Sequence, residues 1–139
     1  MSGYLLDTNV ASEVRKGPRA NSAVRVWLES VDDSGLFLSV LVLGEIRKGI
    51  EQVRPKDPAK AHALERWLAG LEQTYGDRLL PVTTAIADEW GRLSAMRPVS
   101  TVDGLLAATA LVHDLTLVTR NVPHVGHTGV TVLNPFQPS

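Results

Sequence analysis

The apolar residues of this chain fall into short unbroken runs set between longer helical patterns. That alternation restricts the fold more than any single motif. "GYLLD", "LFLSV", "RLLPV", "LTLVT" and "GVTVLN" each read as a strand. A run that is apolar at consecutive positions is buried on both faces, as in parallel strands covered by helices. Between the runs the period changes to that of a helix. Val24, Trp27, Leu28 and Val31 fall at i, i+3, i+4 and i+7, and Leu43, Ile46, Ile50 and Val53 form a second stripe. Gly17 and Pro18 stop a helix in "NVASEVRK", Pro55 and Pro58 close another, and Gly76 is placed to cap the long "AKAHALERWLAGLEQTYG". The last two helices are "TTAIADEWGRLSAM", stopped before Pro98, and "VDGLLAATALVHD". The expected fold is one α/β domain over residues 1–139, a three-layer α/β/α sandwich with a central, mainly parallel sheet of about five strands.

Composition narrows the chemistry. With no cysteine, neither a disulfide framework nor a thiolate zinc site is available. A formal net charge of −1 gives no overall basic excess for a polyanion. Locally, "VRKGPRANSAVRVW" carries Arg15, Lys16, Arg19 and Arg25 without an acid, which alone reads as a solvated face. The first ten residues show no basic stretch leading into an apolar core, and "LFLSVLVLG" is far short of the roughly 20 residues that span a bilayer. No secretory signal and no membrane segment are expected, and the cytoplasm is the expected location.

In open parallel sheets ligands bind beyond the carboxyl ends of the strands. Asp7 follows the first strand, with Thr8 and Asn9 behind it, and Asn121 lies two residues past Thr119 after "LTLV". Asp103 opens the helix that feeds that strand, and Glu45 sits early in the helix after the second strand. Singly, each has a plain structural reading. Asp7 or Asn9 suits a helix N-cap, Ser100 and Asp103 have capping-box spacing, and Glu45 lies beside Val42 and Gly49 at the edge of an apolar stripe. Together they are harder to explain that way. Carboxylates ~5 Å apart at an effective dielectric of about 20 repel by roughly 3 kcal/mol per pair. A proton or a cation relieves such a cluster, and hard oxygen ligands without cysteine point to Mg²⁺ or Mn²⁺.

The order "LLDTN", "LGEIRKG", "TVDGLLAATA", "LVTRN" and "VTVLNPF" resembles a PIN domain, and within that family the VapC-type toxins of toxin–antitoxin modules, FitB-like branch included. The likeness covers nearly the whole chain. It implies a PIN-like fold and a Mg²⁺- or Mn²⁺-dependent endoribonuclease, homodimeric and silenced by a cognate antitoxin protein. By matching motif, Asp7, Glu45 and Asp103 are the core acids and metal ligands. Asn121 holds the fourth catalytic position, and Thr8 and Thr119 are supporting hydroxyls.

The chain departs from the family at "PHVGH", where members with "TRNV" often place an acid and an aromatic and this one has His124 and Val125. The expectation is one well-held ion, with a second arriving with the RNA phosphate. Two equivalent tight sites in a metal titration of the free protein would rule that out. His124 and His127 read as a polar surface loop rather than a metal pair. Trp27, Trp67 and Trp90 read as core or dimer contacts, and the small Ala107 and Ala110 leave room for a neighbouring element or substrate. Arg15, Lys16, Arg19 and Arg120 are candidate contacts to an RNA backbone.

Three rival readings fit parts of the pattern. A haloacid-dehalogenase-type phosphotransferase needs a second Asp where Asn9 stands. A PIN-fold nucleic-acid-binding module with a vestigial site would not retain three acids. A DNA-directed nuclease differs from the leading reading only in substrate.

Overall fold

The computed structural model describes residues 3–138. Five strands form one sheet: β1 (Tyr4–Leu6), β2 (Leu36–Ser39), β3 (Leu79–Leu80), β4 (Thr116–Val118) and β5 (Val132–Leu133), in the order β3-β2-β1-β4-β5. Every pairing is parallel, so the sheet is wholly rather than mainly so. Leu5, Leu6, Leu38, Leu117 and Val118 are buried to about the last atom, which is why these segments are apolar at consecutive positions.

Among the described residues seven α-helices connect the strands: α1 (Thr8–Arg15), α2 (Ser22–Glu29), α3 (Val40–Val53), α4 (Pro58–Tyr75), α5 (Thr84–Met96), α6 (Thr101–His113) and α7 (Val122–Val125). The buried centre of α3 is Val42, Ile46 and Ile50, one turn apart on the face turned to the core. Trp27, Trp67 and Trp90 are half-buried against the core, and Trp27 meets Tyr4 edge-on at 5.3 Å. Gly76 caps α4 with φ +50° and returns its N–H to Glu72. No helix among the described residues is long and apolar enough to cross a membrane.

The chain enters at β1, the middle strand, builds outward through β2 and β3, then returns to place β4 on the other side of β1. The gap between β1 and β4 is therefore the point where strand order reverses, where such sheets open a crevice. The α6 helix is delivered to this crevice by a tight turn. Asp114 adopts φ +55° at its C-terminus, and the Leu115 N–H donates to Ala110 at 2.8 Å, so β4 starts at once. The helix thus runs antiparallel to β4, with its first turn beside the carboxyl ends of the strands.

Candidate active site

Asp7 leaves β1 in extended conformation, and its backbone N–H donates to the Val118 carbonyl of β4 at 2.9 Å. Its side chain caps α1, with Oδ1 accepting from the Thr8 N–H at 2.7 Å. Oδ2 accepts from the Thr119 hydroxyl at 2.7 Å and from the Asn9 amide at 3.3 Å. The capping reading of Asp7 therefore holds, and the same carboxylate sits at the crevice. Thr119, buried at the end of β4, also accepts the Asn121 N–H at 3.0 Å.

Despite three donors, the Asp7 pKa lies above the usual aspartate value. Burial is the largest cause and outweighs Thr119, Thr8 and Asn9, with the charge of Asp103 adding to the rise. The ionised carboxylate is thus disfavoured where it stands, and a bound cation would offset that cost.

Glu45 lies in the second turn of α3, half-buried as the edge-of-stripe position requires, and its Oε1 accepts a short hydrogen bond from the Thr8 hydroxyl. Thr8 therefore joins the two acids, donating its N–H to Asp7 and its hydroxyl to Glu45. Asp103 stands in the first turn of α6, where a negative charge favours the helix dipole. The capping box expected with Ser100 is not formed. Ser100 makes no side-chain cap bond, and its hydroxyl donates to Asp103 Oδ2 at 2.8 Å. Side chain meets side chain because the hydroxyl turns outward to the nearer carboxylate. The backbone alone starts the helix, through Gly104 N–H to Ser100 O at 2.8 Å. Gly104 is needed at the next position. A Cβ there would lie 3.0 Å from Trp90 Cδ1 and from Val99 Cγ1, so the absent side chain lets α6 press against α5.

Asn121 is half-buried at the start of α7, which with a 3₁₀ turn over Gly126–Thr128 replaces the loop expected at "HVGH". Pro123 in its first turn supplies the helical φ. His124 Nδ1 stands 3.5 Å from Asp103 Oδ2, beyond good hydrogen-bond length. Ala107 and Ala110 are fully buried, so their small side chains admit a neighbouring element and leave no path for substrate. Of the basic residues, Arg15 lies over Trp67, Lys16 pairs with Glu13 at 3.0 Å, and Arg120 stacks on Phe136 at 3.7 Å. The Arg120 backbone N–H also donates to Asn9 Oδ1 at 3.2 Å. From sequence Asn9 reads only as a possible cap. In the structure its amide ties Asp7 to the segment after β4.

Among the described residues no group of three or more Asp, Glu or His forms a ready cage for an ion. Mg²⁺ keeps several waters and is usually held by one or two carboxylates, so its site need not be a cage of three. A buried acid whose ionised form is disfavoured, with a second acid near enough to raise its pKa, fits such a hard cation.

The PIN domain profile matches residues 4–122. Toxin FitB of Neisseria gonorrhoeae is 30% identical over 138 residues, covering 95% of this chain and 97% of the relative. VapC ribonuclease Y4jK of Sinorhizobium fredii is 26% identical over 140 residues, covering 97% and 99%. Among solved structures, FitAcB from Neisseria gonorrhoeae superposes with a TM-score of 0.84 at 29% identity, covering 96% of this chain and 99% of that one.

Proposed function

Because the chain belongs to the PIN-domain family, we propose that it is the toxin of a VapBC- or FitAB-type module, an endoribonuclease dependent on Mg²⁺ or Mn²⁺. One observation carries this reading. Asp7, Thr8, Glu45, Thr119 and Asn121 are linked by hydrogen bonds at the carboxyl ends of β1 and β4, with Asp103 close enough to act on Asp7. Helix capping alone accounts for Asp7 and for neither of the other acids.

Asp7 and Asp103 would hold the ion. When bound, the ion supplies Lewis-acid polarisation of a phosphoryl oxygen and a more acidic water. Thr119 and Thr8 fix the Asp7 and Glu45 carboxylates, so both acids meet the substrate already oriented. Glu45 has one oxygen bonded to Thr8, which leaves the other to take the proton of the attacking water. The Asn121 amide would donate to a phosphate oxygen. Water attacks phosphorus, the bond to the ribose 3′-oxygen breaks, and that oxygen takes a proton from solvent. The products are a 5′-phosphate and a 3′-hydroxyl, and finding 2′,3′-cyclic phosphate ends would exclude the scheme.

The protein works as a cytoplasmic homodimer held inactive by its antitoxin. An acidic crevice favours an arginine from that partner, which would compete with the ion. The test is cleavage of total cellular RNA with Mg²⁺ or Mn²⁺, with EDTA, and with Asp7→Asn, Glu45→Gln and Asp103→Asn. Discrete fragments that vanish with EDTA and with each variant support the reading. A folded, antitoxin-free chain that cuts no RNA refutes it.

A further inference from the structure

A cavity of about 320 Å³ opens between the α5–α6 turn and α7, lined by Arg97, Ser100, Asp103, His124 and His127 among others. We propose that this cavity is a second nucleotide subsite, holding the phosphate and sugar next to the cleaved linkage. The proposal rests on the ribonuclease reading above.

Position is the first argument. Asp103 belongs to both the cavity wall and the candidate active site, so a strand with one phosphate at Asp7 and Asp103 continues into this space. Size is the second. At about 320 Å³ the cavity is at the small end of ligand pockets, enough for one nucleotide unit and too small for a folded peptide element.

The wall chemistry is the third. Arg97 is exposed, permanently charged, and in no ion pair among the described residues, whereas Arg47, Arg54 and Arg92 are each held by acids on their own or neighbouring helices. The acid in the wall is already engaged. Ser100 donates to Asp103 Oδ2 at 2.8 Å, and His124 faces the same oxygen at 3.5 Å. What remains toward the cavity is the Arg97 guanidinium, a permanent donor that suits phosphate oxygens, beside the exposed His124 ring, while His127 Nε2 is buried without a partner. Pro98, Val99 and Pro123 complete the lining with apolar surface for a ribose or base, and the two prolines restrict the backbone at both rims.

The experiment measures anisotropy of a fluorescein-labelled, mixed-sequence RNA octamer. It is bound by the full chain carrying Asp7→Asn, in EDTA, across a salt series. Adding Arg97→Ala should weaken binding by about three- to tenfold and lower the slope of log K against log salt by about 0.7, one single-stranded phosphate contact. Arg97→Lys should keep the slope. Arg92→Ala, whose side chain pairs with Asp88 at 2.7 Å outside the cavity, should leave both values unchanged. Binding and slope unchanged in Arg97→Ala would overturn the subsite, as would an equal loss in Arg92→Ala. The two readings fail separately. Metal-dependent RNA cleavage with unaltered kcat/KM in Arg97→Ala removes the subsite and leaves the nuclease. An Arg97-dependent salt slope in a chain that cuts no RNA leaves the binding site and removes the nuclease.

Discussion

Replacing Thr119 by Val tests whether the buried hydroxyl organises the crevice. The side chains are close in shape, but Val removes the donor 2.7 Å from Asp7 Oδ2 and the acceptor 3.0 Å from the Asn121 N–H. A hydrogen bond to a charged partner contributes about 1.5–3 kcal/mol, and an unpaired buried N–H costs about 1–3 kcal/mol. Burying a methyl group in place of the hydroxyl returns roughly 1 kcal/mol. The net loss should be about 2–4 kcal/mol near neutral pH, or a Tm lower by about 8–16 °C at roughly 4 °C per kcal/mol. The loss also carries a pH signature. The hydroxyl lowers the pKa of Asp7, so it favours the ionised form. Its contribution is complete where Asp7 is ionised and fades as pH falls through the Asp7 pKa. Urea unfolding of both chains in EDTA, across about pH 4 to 8, should therefore show curves that converge toward acid without meeting, because the Asn121 deficit remains. Thr119→Ser should restore most of the loss. A deficit below about 0.5 kcal/mol, level across that range, would refute the argument that this bond holds a charged Asp7.

Asp7→Asn should gain stability over the wild type as pH rises in EDTA. Burial raises the Asp7 pKa, so the folded chain holds that proton more tightly than the unfolded one and loses stability as pH climbs through the folded value. Asn has no proton to lose, and a variant that tracks the wild type at every pH would contradict the sign. Mg²⁺ should raise the wild-type Tm, with about 2.7 kcal/mol gained at 100 Kd. Differential scanning of Asp7→Asn should show no such rise, and an equal rise would place the ion elsewhere. For Gly104→Ala, a gain of about 1 kcal/mol in helix propensity opposes about 1–3 kcal/mol of overpacking against Trp90 and Val99. The net should be a small destabilisation with a larger loss of RNA cleavage, because Asp103 is the preceding residue. A more stable chain cutting at full rate would show that the α5–α6 contact has slack.

The parallel sheet was legible because β1, β2 and β4 need apolar residues on both faces, and "YLL", "LFLS" and "TLV" show it without any long-range information. The meeting of Asp7, Glu45 and Asp103 at one end followed from topology, since each stands where a strand or its feeding helix must end or begin. What did not follow was which atoms touch. Ser100 and Asp103 have the spacing of a capping box, and the spacing is the same whether the hydroxyl turns to the backbone or to the carboxylate. A four-residue helix such as α7 makes barely more than one turn and leaves no periodic trace, so "HVGH" reads as loop from sequence. The depth of Ala107 and Ala110 depends on neighbours distant in sequence, and small residues suit a tight contact and an open groove alike.

The bond from Thr119 to Asp7 spans 112 positions of sequence. As the chain is synthesised, β1, β2 and β3 emerge with their helices long before β4, so the middle strand waits with one edge unpaired. Contacts this far apart close late and slowly, because the loop entropy is spent before the pairing returns it. The crevice therefore cannot close before β4 and Thr119 have been made, and a ribosome whose nascent copy stops short of them carries no working site.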